Sequence, residues 1–110
     1  MYDAAYELEL RIGYPPVVND SAEADRFFEV GERLFGKQAV IRSEAITVAE
    51  DFSYYLERVP GCFMFVGAGS EEAGALYAHH HPKFDIDEKA MPMAARLLIG
   101  MADDFASGSN

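Results

Sequence analysis

The sequence predicts an α/β fold with an at least partly parallel sheet, and three observations carry that expectation. The opening stretch alternates Tyr6, Leu8, Leu10 and Ile12 with Glu7, Glu9 and Arg11, the period of a strand with one buried and one wet face. The run Cys62-Phe63-Met64-Phe65-Val66 is apolar throughout and bounded by turn residues, as in a strand covered on both faces. Segments with helical spacing lie between and after these two, and strands alternating with helices define the class.

Each element has its own justification. The strand over residues 2–14 ends at Pro15-Pro16, because neither proline can donate to a ladder. Asp20 reads as an N-cap with Glu23 three residues on, in the manner of a capping box. The helix it opens spans about residues 21–34, with Ala24, Phe27, Phe28, Val30, Leu34 and Phe35 on its apolar side and Gly36 as its stop. Residues 38–42 form a short strand. Residues 49–58 form a helix with acids in its first turn and Arg58 at its end, as the helix dipole favours. Pro60-Gly61 closes it, and the apolar strand over 62–66 runs into the turn Gly67-Ala68-Gly69-Ser70. Open α/β sheets place ligands at such strand ends. Asp85 or Asp87 caps a last helix over about 88–105, with Met91, Ala94, Leu97, Leu98 and Met101 on one side, and residues 106–110 form a polar tail.

Composition narrows the function. The chain has 110 residues, about one domain, and a formal net charge of −10. Its nine basic residues are scattered, which argues against nucleic acid as a partner. No apolar run reaches the roughly 18 residues of a membrane span. No basic and apolar leader is visible at the start. The single cysteine, Cys62, forms no intrachain disulfide and fits a reducing compartment, so the expected location is cytoplasmic.

Chemistry gathers at His79-His80-His81-Pro82, which holds every histidine of the chain. Neutral imidazole is a common ligand of Zn²⁺ and similar metals. A residue before proline is biased toward extended backbone, so this is a loop entering a helix. Successive extended residues alternate sides, so one or two of the three imidazoles would face any one metal. Glu50 reads as helix-start capping and dipole chemistry. Other candidates have a structural and a functional reading side by side. Gly67 and Gly69 are either positive-φ turn residues or a surface that substrate approaches closely. Asn19 either binds a substrate carboxylate or serves as a hinge.

Three blocks carry a resemblance when taken together. They are Tyr14-Pro15-Pro16-Val17-Val18-Asn19-Asp20, then AEDFSYYLERVPG running into CFMFVGAG over 49–69, then HHPKFDIDE over 80–88. In order and spacing they resemble the C-terminal part of the M20 metallopeptidase family. The nearest branch is the amidohydrolases that cleave N-acyl amino acids, hippurate and auxin–amino acid conjugates.

The resemblance implies the C-terminal portion of a zinc-exopeptidase-like three-layer α/β/α catalytic domain over residues 17–110. It also implies that residues 1–16 form the last strand of a lid used for dimerisation, giving a homodimer in the intact protein. The implied reaction uses two divalent metal ions (Zn, Mn, Co or Ni) and a glutamate base on an N-acyl amino acid, releasing a carboxylic acid and an amino acid. The family's last block places a metal-binding histidine two residues before the proline, which is His80. His79 stands where an apolar residue is usual, and His81 where small polar residues and histidine both occur. The resemblance also implies a place for Glu50 at a cleft floor, orienting a ligand or touching substrate. The family's other ligands and its base lie upstream and match nothing here. The chain is therefore expected to be a piece of a longer hydrolase, inactive alone. Alternatives are a stand-alone metal-binding or dimerisation module, and a partner-binding remnant without chemistry.

Overall fold

Three helices can be traced back to their sequence signals in the computed structural model, which describes residues 2–108. The first, α1, spans Ser21–Phe35 and opens as its cap predicts. Asp20 Oδ1 accepts from the backbone N–H groups of Ala22 and Glu23, both at 3.0 Å. Only half of the capping box forms. The Glu23 carboxylate turns to Arg26 Nε at 3.2 Å, and the Asp20 N–H donates to the Gly61 carbonyl at 2.9 Å. That bond ties the helix start to the segment before residue 62. At the other end Gly36 takes φ 87° and its N–H reaches the Glu32 carbonyl, which stops the helix.

The second helix, α2, is much shorter than expected, covering Ser53–Leu56. Around it the bonds run three residues back, from Ser53 N to Glu50 O and from Tyr54 N to Asp51 O. Tight turns of this kind suit a stretch crowded with Phe52, Tyr54 and Tyr55, whose rings lose rotamer freedom in an α-helix. The third, α3, spans Ala90–Ala106. Of the two candidate caps, Asp87 acts at its entrance, accepting from Lys89 N at 3.0 Å, whereas Asp85 accepts from the adjacent Ile86 N. Pro92 falls in the first turn, where no intrahelical donor is lost.

Helices α1 and α3 pack against each other and hold most of the core. Val30 is fully buried, and Leu97 and Ala90 are nearly so. Ala94, Leu97 and Met101 turn inward as their spacing predicts, but Met91 and Leu98 remain exposed. Small residues let the helices approach. A Cβ on Gly100 would meet Val30 Cγ1 at 2.8 Å and Leu34 Cδ1 at 3.1 Å. Ion pairs flank the seam, with Arg26 Nη1 at 2.7 Å from Asp104 Oδ2 and Arg33 at 3.5 Å from Asp104 Oδ1. The Arg42 guanidinium lies 4.1 Å over the Phe28 ring and the Arg96 guanidinium 4.8 Å over Phe35.

The three expected strands do not join into a sheet. Among the described residues the one β-type pairing is an isolated antiparallel bridge between Ser70 and Ala75. Residues 2–14 have no partner strand among the described residues, and Lys37–Ala39 forms a 3₁₀ turn where a strand was expected to begin. Residues 62–66 are half-buried rather than covered on both faces, with Phe65 61% exposed. The alternation and the apolar run are real, but a ladder needs a second backbone alongside, and these segments do not lie beside one another. The layered α/β class is thus not assembled by these residues. A radius of gyration of 18.7 Å says the same, since a closed domain of this length would have about 13 Å. The end of the expected polar tail, Ser109 and Asn110, lies outside the described residues, as does Met1.

Candidate functional site

The candidate site is a loop system held between residues 62–66 and α3. Its first half is a tight hairpin-like turn. Ser70 and Ala75 exchange both backbone bonds at 3.0 and 2.9 Å, and Ser70 Oγ accepts from Ala73 N at 3.3 Å. The positive φ that closes this turn is at Gly74, 70°. Gly67 and Gly69 have no positive φ, so the turn-glycine reading of those two does not hold. An added Cβ on Gly69 would touch the Ala75 carbonyl at 3.4 Å, whereas on Gly67 it would meet open space.

The histidines form the second half. The His81 N–H donates to the Ala78 carbonyl at 3.1 Å, closing a four-residue turn with His79 and His80 in the middle. His80 has φ 69° and is the described non-glycine residue with positive φ. Positive φ at the third position alone matches a type II turn, where glycine or asparagine is the usual occupant. The backbone therefore does not alternate here as an extended strand would, and this corrects the expectation that neighbouring imidazoles diverge. The His79 and His80 rings lie side by side, centroids 4.6 Å apart and tilted by 39°. His79 also sits edge-on to Phe84 at 5.0 Å.

His81 leaves the pair. Its ring stacks on Tyr77 at 4.3 Å, and its Nδ1 accepts from Lys83 N at 3.0 Å. That bond assigns the proton of the neutral ring to Nε2 and gives His81 a structural employment. Two further bonds pin the loop. Phe84 N donates to the His81 carbonyl at 2.9 Å, and Asp87 N donates to the Ala68 carbonyl at 2.8 Å. The second joins the Gly67–Ser70 turn to the exit of the histidine loop. All three histidines are exposed.

Asn19 and Glu50 belong to a separate set of contacts centred on Phe52 and Phe63. Asn19 Nδ2 donates to the Phe63 carbonyl at 3.0 Å, and its Oδ1 accepts from Phe63 N at 2.8 Å. Glu50 Oε1 accepts from Phe52 N at 3.2 Å, the capping chemistry of its structural reading. The Phe52 ring meets the Phe63 ring at 5.4 Å, so both residues are linked through Phe63. Neither is bonded to the histidine loop. A cleft of about 200 Å³ opens nearby, lined by Pro15, Pro16, Val18, Ser53, Leu56 and Glu57. Ser53 Oγ is fully buried there, with no hydrogen-bond partner among the described residues. Burial pushes the Cys62 thiol up from its ordinary range, with the nearby Glu23 charge adding to the effect, which suits an inert thiol rather than a thiolate ligand.

Among the described residues no group of three or more His, Cys, Asp or Glu side chains converges as a metal ion needs. His80 and His79 offer two neighbouring imidazoles and no oxygen donor with them. What sequence reasoning missed was this pairing. The adjacent His-His was visible, but nothing local announced a positive φ at a histidine.

A loop of this kind, on a chain with these three blocks, has a family. Residues 4–104 match peptidase family M20/M25/M40, and the chain belongs to it. It is 47% identical over 102 residues to the putative amidohydrolase YhaA of Bacillus subtilis, covering 93% of this chain and 26% of that protein. It is 33% identical over 92 residues to IAA-amino acid hydrolase ILR1-like 6 of Arabidopsis thaliana, covering 84% of this chain and 20% of that protein. It is 35% identical over 94 residues to thermostable carboxypeptidase 1 of Saccharolobus solfataricus, covering 86% and 23% respectively. The chain spans about a quarter of the length of the curated relatives it matches. No solved structure matches it.

Proposed function

We propose that this chain is the portion of a metal-dependent amidohydrolase that carries one metal-binding histidine, His80. The hydrolase would cleave N-acyl amino acids into a carboxylic acid and an amino acid. The observation that carries the reading is the backbone of His80. A non-glycine residue at φ 69° costs about 1–3 kcal/mol and persists where the surroundings over-determine it, which is common at functional sites. Here the bonds at Ala78, His81 and Ala68 supply that determination and hold the ring at the loop surface.

The amidohydrolase and hydrolase names of two relatives support the reaction class. In this reading His80 is one ligand of a two-metal centre of Zn²⁺, Mn²⁺, Co²⁺ or Ni²⁺, which supplies Lewis acidity and activates water when bound. The donors at hand on the described residues do not complete that centre, so its other ligands and the general base come from elsewhere in the folded hydrolase. His79 is a structural neighbour that touches the His80 ring, and the Gly67–Ser70 turn shapes the pocket beside it. Asn19 serves the hinge at the lid crossing rather than the substrate, because Phe63 occupies both ends of its amide. Residues 1–16 are the last lid strand, 62–66 take their place in the catalytic sheet, and the intact protein is a cytoplasmic homodimer acting on a small molecule.

The test replaces His80 and His79 separately by alanine in the full-length hydrolase. His80→Ala should lose bound metal and activity together, with metal affinity down by about 10–100-fold or more. His79→Ala should retain both. The reverse ranking refutes the assignment, and metal-dependent amidase turnover by the isolated 110-residue chain refutes the shared centre.

A further inference from the structure

His81 ends one turn and begins the next. Its N–H donates to the Ala78 carbonyl at 3.1 Å, and its own carbonyl accepts from Phe84 N at 2.9 Å. His79 and His80 lie in the middle of the first turn, Pro82 and Lys83 in the middle of the second. Proline suits that place, because its fixed φ starts a turn. Proline also lacks an N–H, so the first main-chain donor after His81 belongs to Lys83. The His81 ring takes that donor on Nδ1 at 3.0 Å. The same ring stacks on Tyr77 at 4.3 Å with 15° between planes, and the Lys83 ammonium lies 5.6 Å from the Tyr77 ring centre. One side chain thus ties the residue before the first turn to the residues of the second.

We infer that His81 is a positioning residue for His80: its imidazole, held between the Lys83 N–H and the Tyr77 ring, fixes the turn that keeps His80 at positive φ. This rests on the reading of His80 as a metal ligand. Every contact it uses is made within residues 77–84. A non-glycine residue at φ 69° persists only where its surroundings over-determine it. Released, it relaxes to negative φ, and the direction of its side chain relative to the loop changes with it. A site that is competent for only part of the time binds more weakly by that fraction.

The two ties of the imidazole can be separated. The Nδ1 bond runs from residue 81 to the N–H two positions on, the geometry of an Asx-turn, which an asparagine Oδ1 also makes. Phenylalanine keeps a flat ring for Tyr77 but offers no acceptor. The acceptor is the stronger tie, because it meets a main-chain donor that Pro82 leaves without a local alternative.

Zn²⁺ titration of the metal-stripped full-length hydrolase tests this, beside thermal unfolding of the same metal-free samples. His81→Ala and His81→Phe should bind Zn²⁺ about tenfold more weakly, and His81→Asn should bind it nearly as wild type does. Raising Zn²⁺ should restore the activity of His81→Ala and His81→Phe, since His80 is still present, whereas His80→Ala should stay inactive. Unfolding midpoints should not move, because the lost contacts are at the loop surface. A residue that only stabilised the fold would shift the midpoint and would not be replaced by asparagine. Wild-type affinity in His81→Phe, no rescue by His81→Asn, or affinity that falls only in step with the midpoint would each overturn the inference and leave His80 as a ligand. Metal retained by His80→Ala would overturn the metal reading itself, and the role of His81 with it.

Discussion

Asn19 holds both main-chain polar groups of Phe63, donating from Nδ2 to its carbonyl at 3.0 Å and accepting its N–H on Oδ1 at 2.8 Å. The pair of bonds copies what a neighbouring strand would offer at that residue, and it comes from 44 positions away. Together with the Asp20 N–H to Gly61 carbonyl bond, it fastens the entry to α1 onto the segment leading to the candidate site.

Replacing Asn19 by alanine should therefore free the Phe63 amide. Both bonds are exposed, so water recovers part of the loss and the cost should be about 1 kcal/mol. Asn19→Asp should be worse at neutral pH, because a carboxylate oxygen would face the Phe63 carbonyl. Amide hydrogen exchange at Phe63 is the direct readout, and both variants should speed it. Unchanged exchange would show that the clasp does not operate in solution.

The α1–α3 seam makes a prediction that turns on two opposed magnitudes. Gly100→Ala gains about 1 kcal/mol of helix propensity but drives a Cβ to 2.8 Å from Val30 Cγ1. Val30 is fully buried and β-branched, so it cannot turn away, and overpacking costs about 1–3 kcal/mol. The net should be a loss of about 1 kcal/mol in urea unfolding. Gly31→Ala, whose Cβ would meet the Val40 side chain at 3.0 Å, presses on a loop residue that can shift and should cost less. If Gly100→Ala raised stability instead, the close approach of α1 and α3 would be wrong.

These helices were readable because their signals are local. Asp20, Gly36 and the spacing of Val30 and Leu34 act within a turn or two of themselves, and the observed ends follow them closely. The alternation of Tyr6, Leu8, Leu10 and Ile12 is equally plain, yet it states only which face a residue takes, never what lies alongside. Strand pairing is a long-range fact, and so residues 62–66 read as a covered strand while Phe65 stands exposed. At the site the histidine run and its link to the acidic stretch at Asp87 were legible. The positive φ of His80 was not, because such turns are announced by glycine or asparagine.

Cys62 carries the pH prediction. Burial chiefly, and then the Glu23 charge, hold its thiol above the ordinary value of 9.0. The folded chain thus keeps a proton that the unfolded chain releases. Its contribution to stability is complete below pH 9.0 and falls as pH rises toward the folded value. Thiol labelling of the folded chain should lag a denatured control throughout this alkaline window, and Cys62→Ser should flatten the alkaline part of the stability profile. Equal labelling rates would mean that the thiol is not shielded.

His80 offers the sharpest separation of stability from function. Glycine accepts φ 69° without the steric cost that a Cβ brings, so His80→Gly should relieve strain locally. Against that, glycine gives the unfolded chain more freedom, an opposing effect of about 0.4–1 kcal/mol. With the strain at about 1–3 kcal/mol, the variant should be as stable as wild type or up to about 2.5 kcal/mol more stable in urea unfolding. His80→Ala removes the same imidazole but keeps the Cβ, so it should gain nothing. If the proposed reading holds, both variants should lose metal to the same degree in the full-length protein, measured as bound Zn²⁺ or Co²⁺. A histidine that destabilises its own turn and is needed for metal is one held in place for chemistry. Were His80→Gly clearly destabilising, the turn would depend on contacts of the imidazole itself, such as the one with His79, and His80 would be a structural residue.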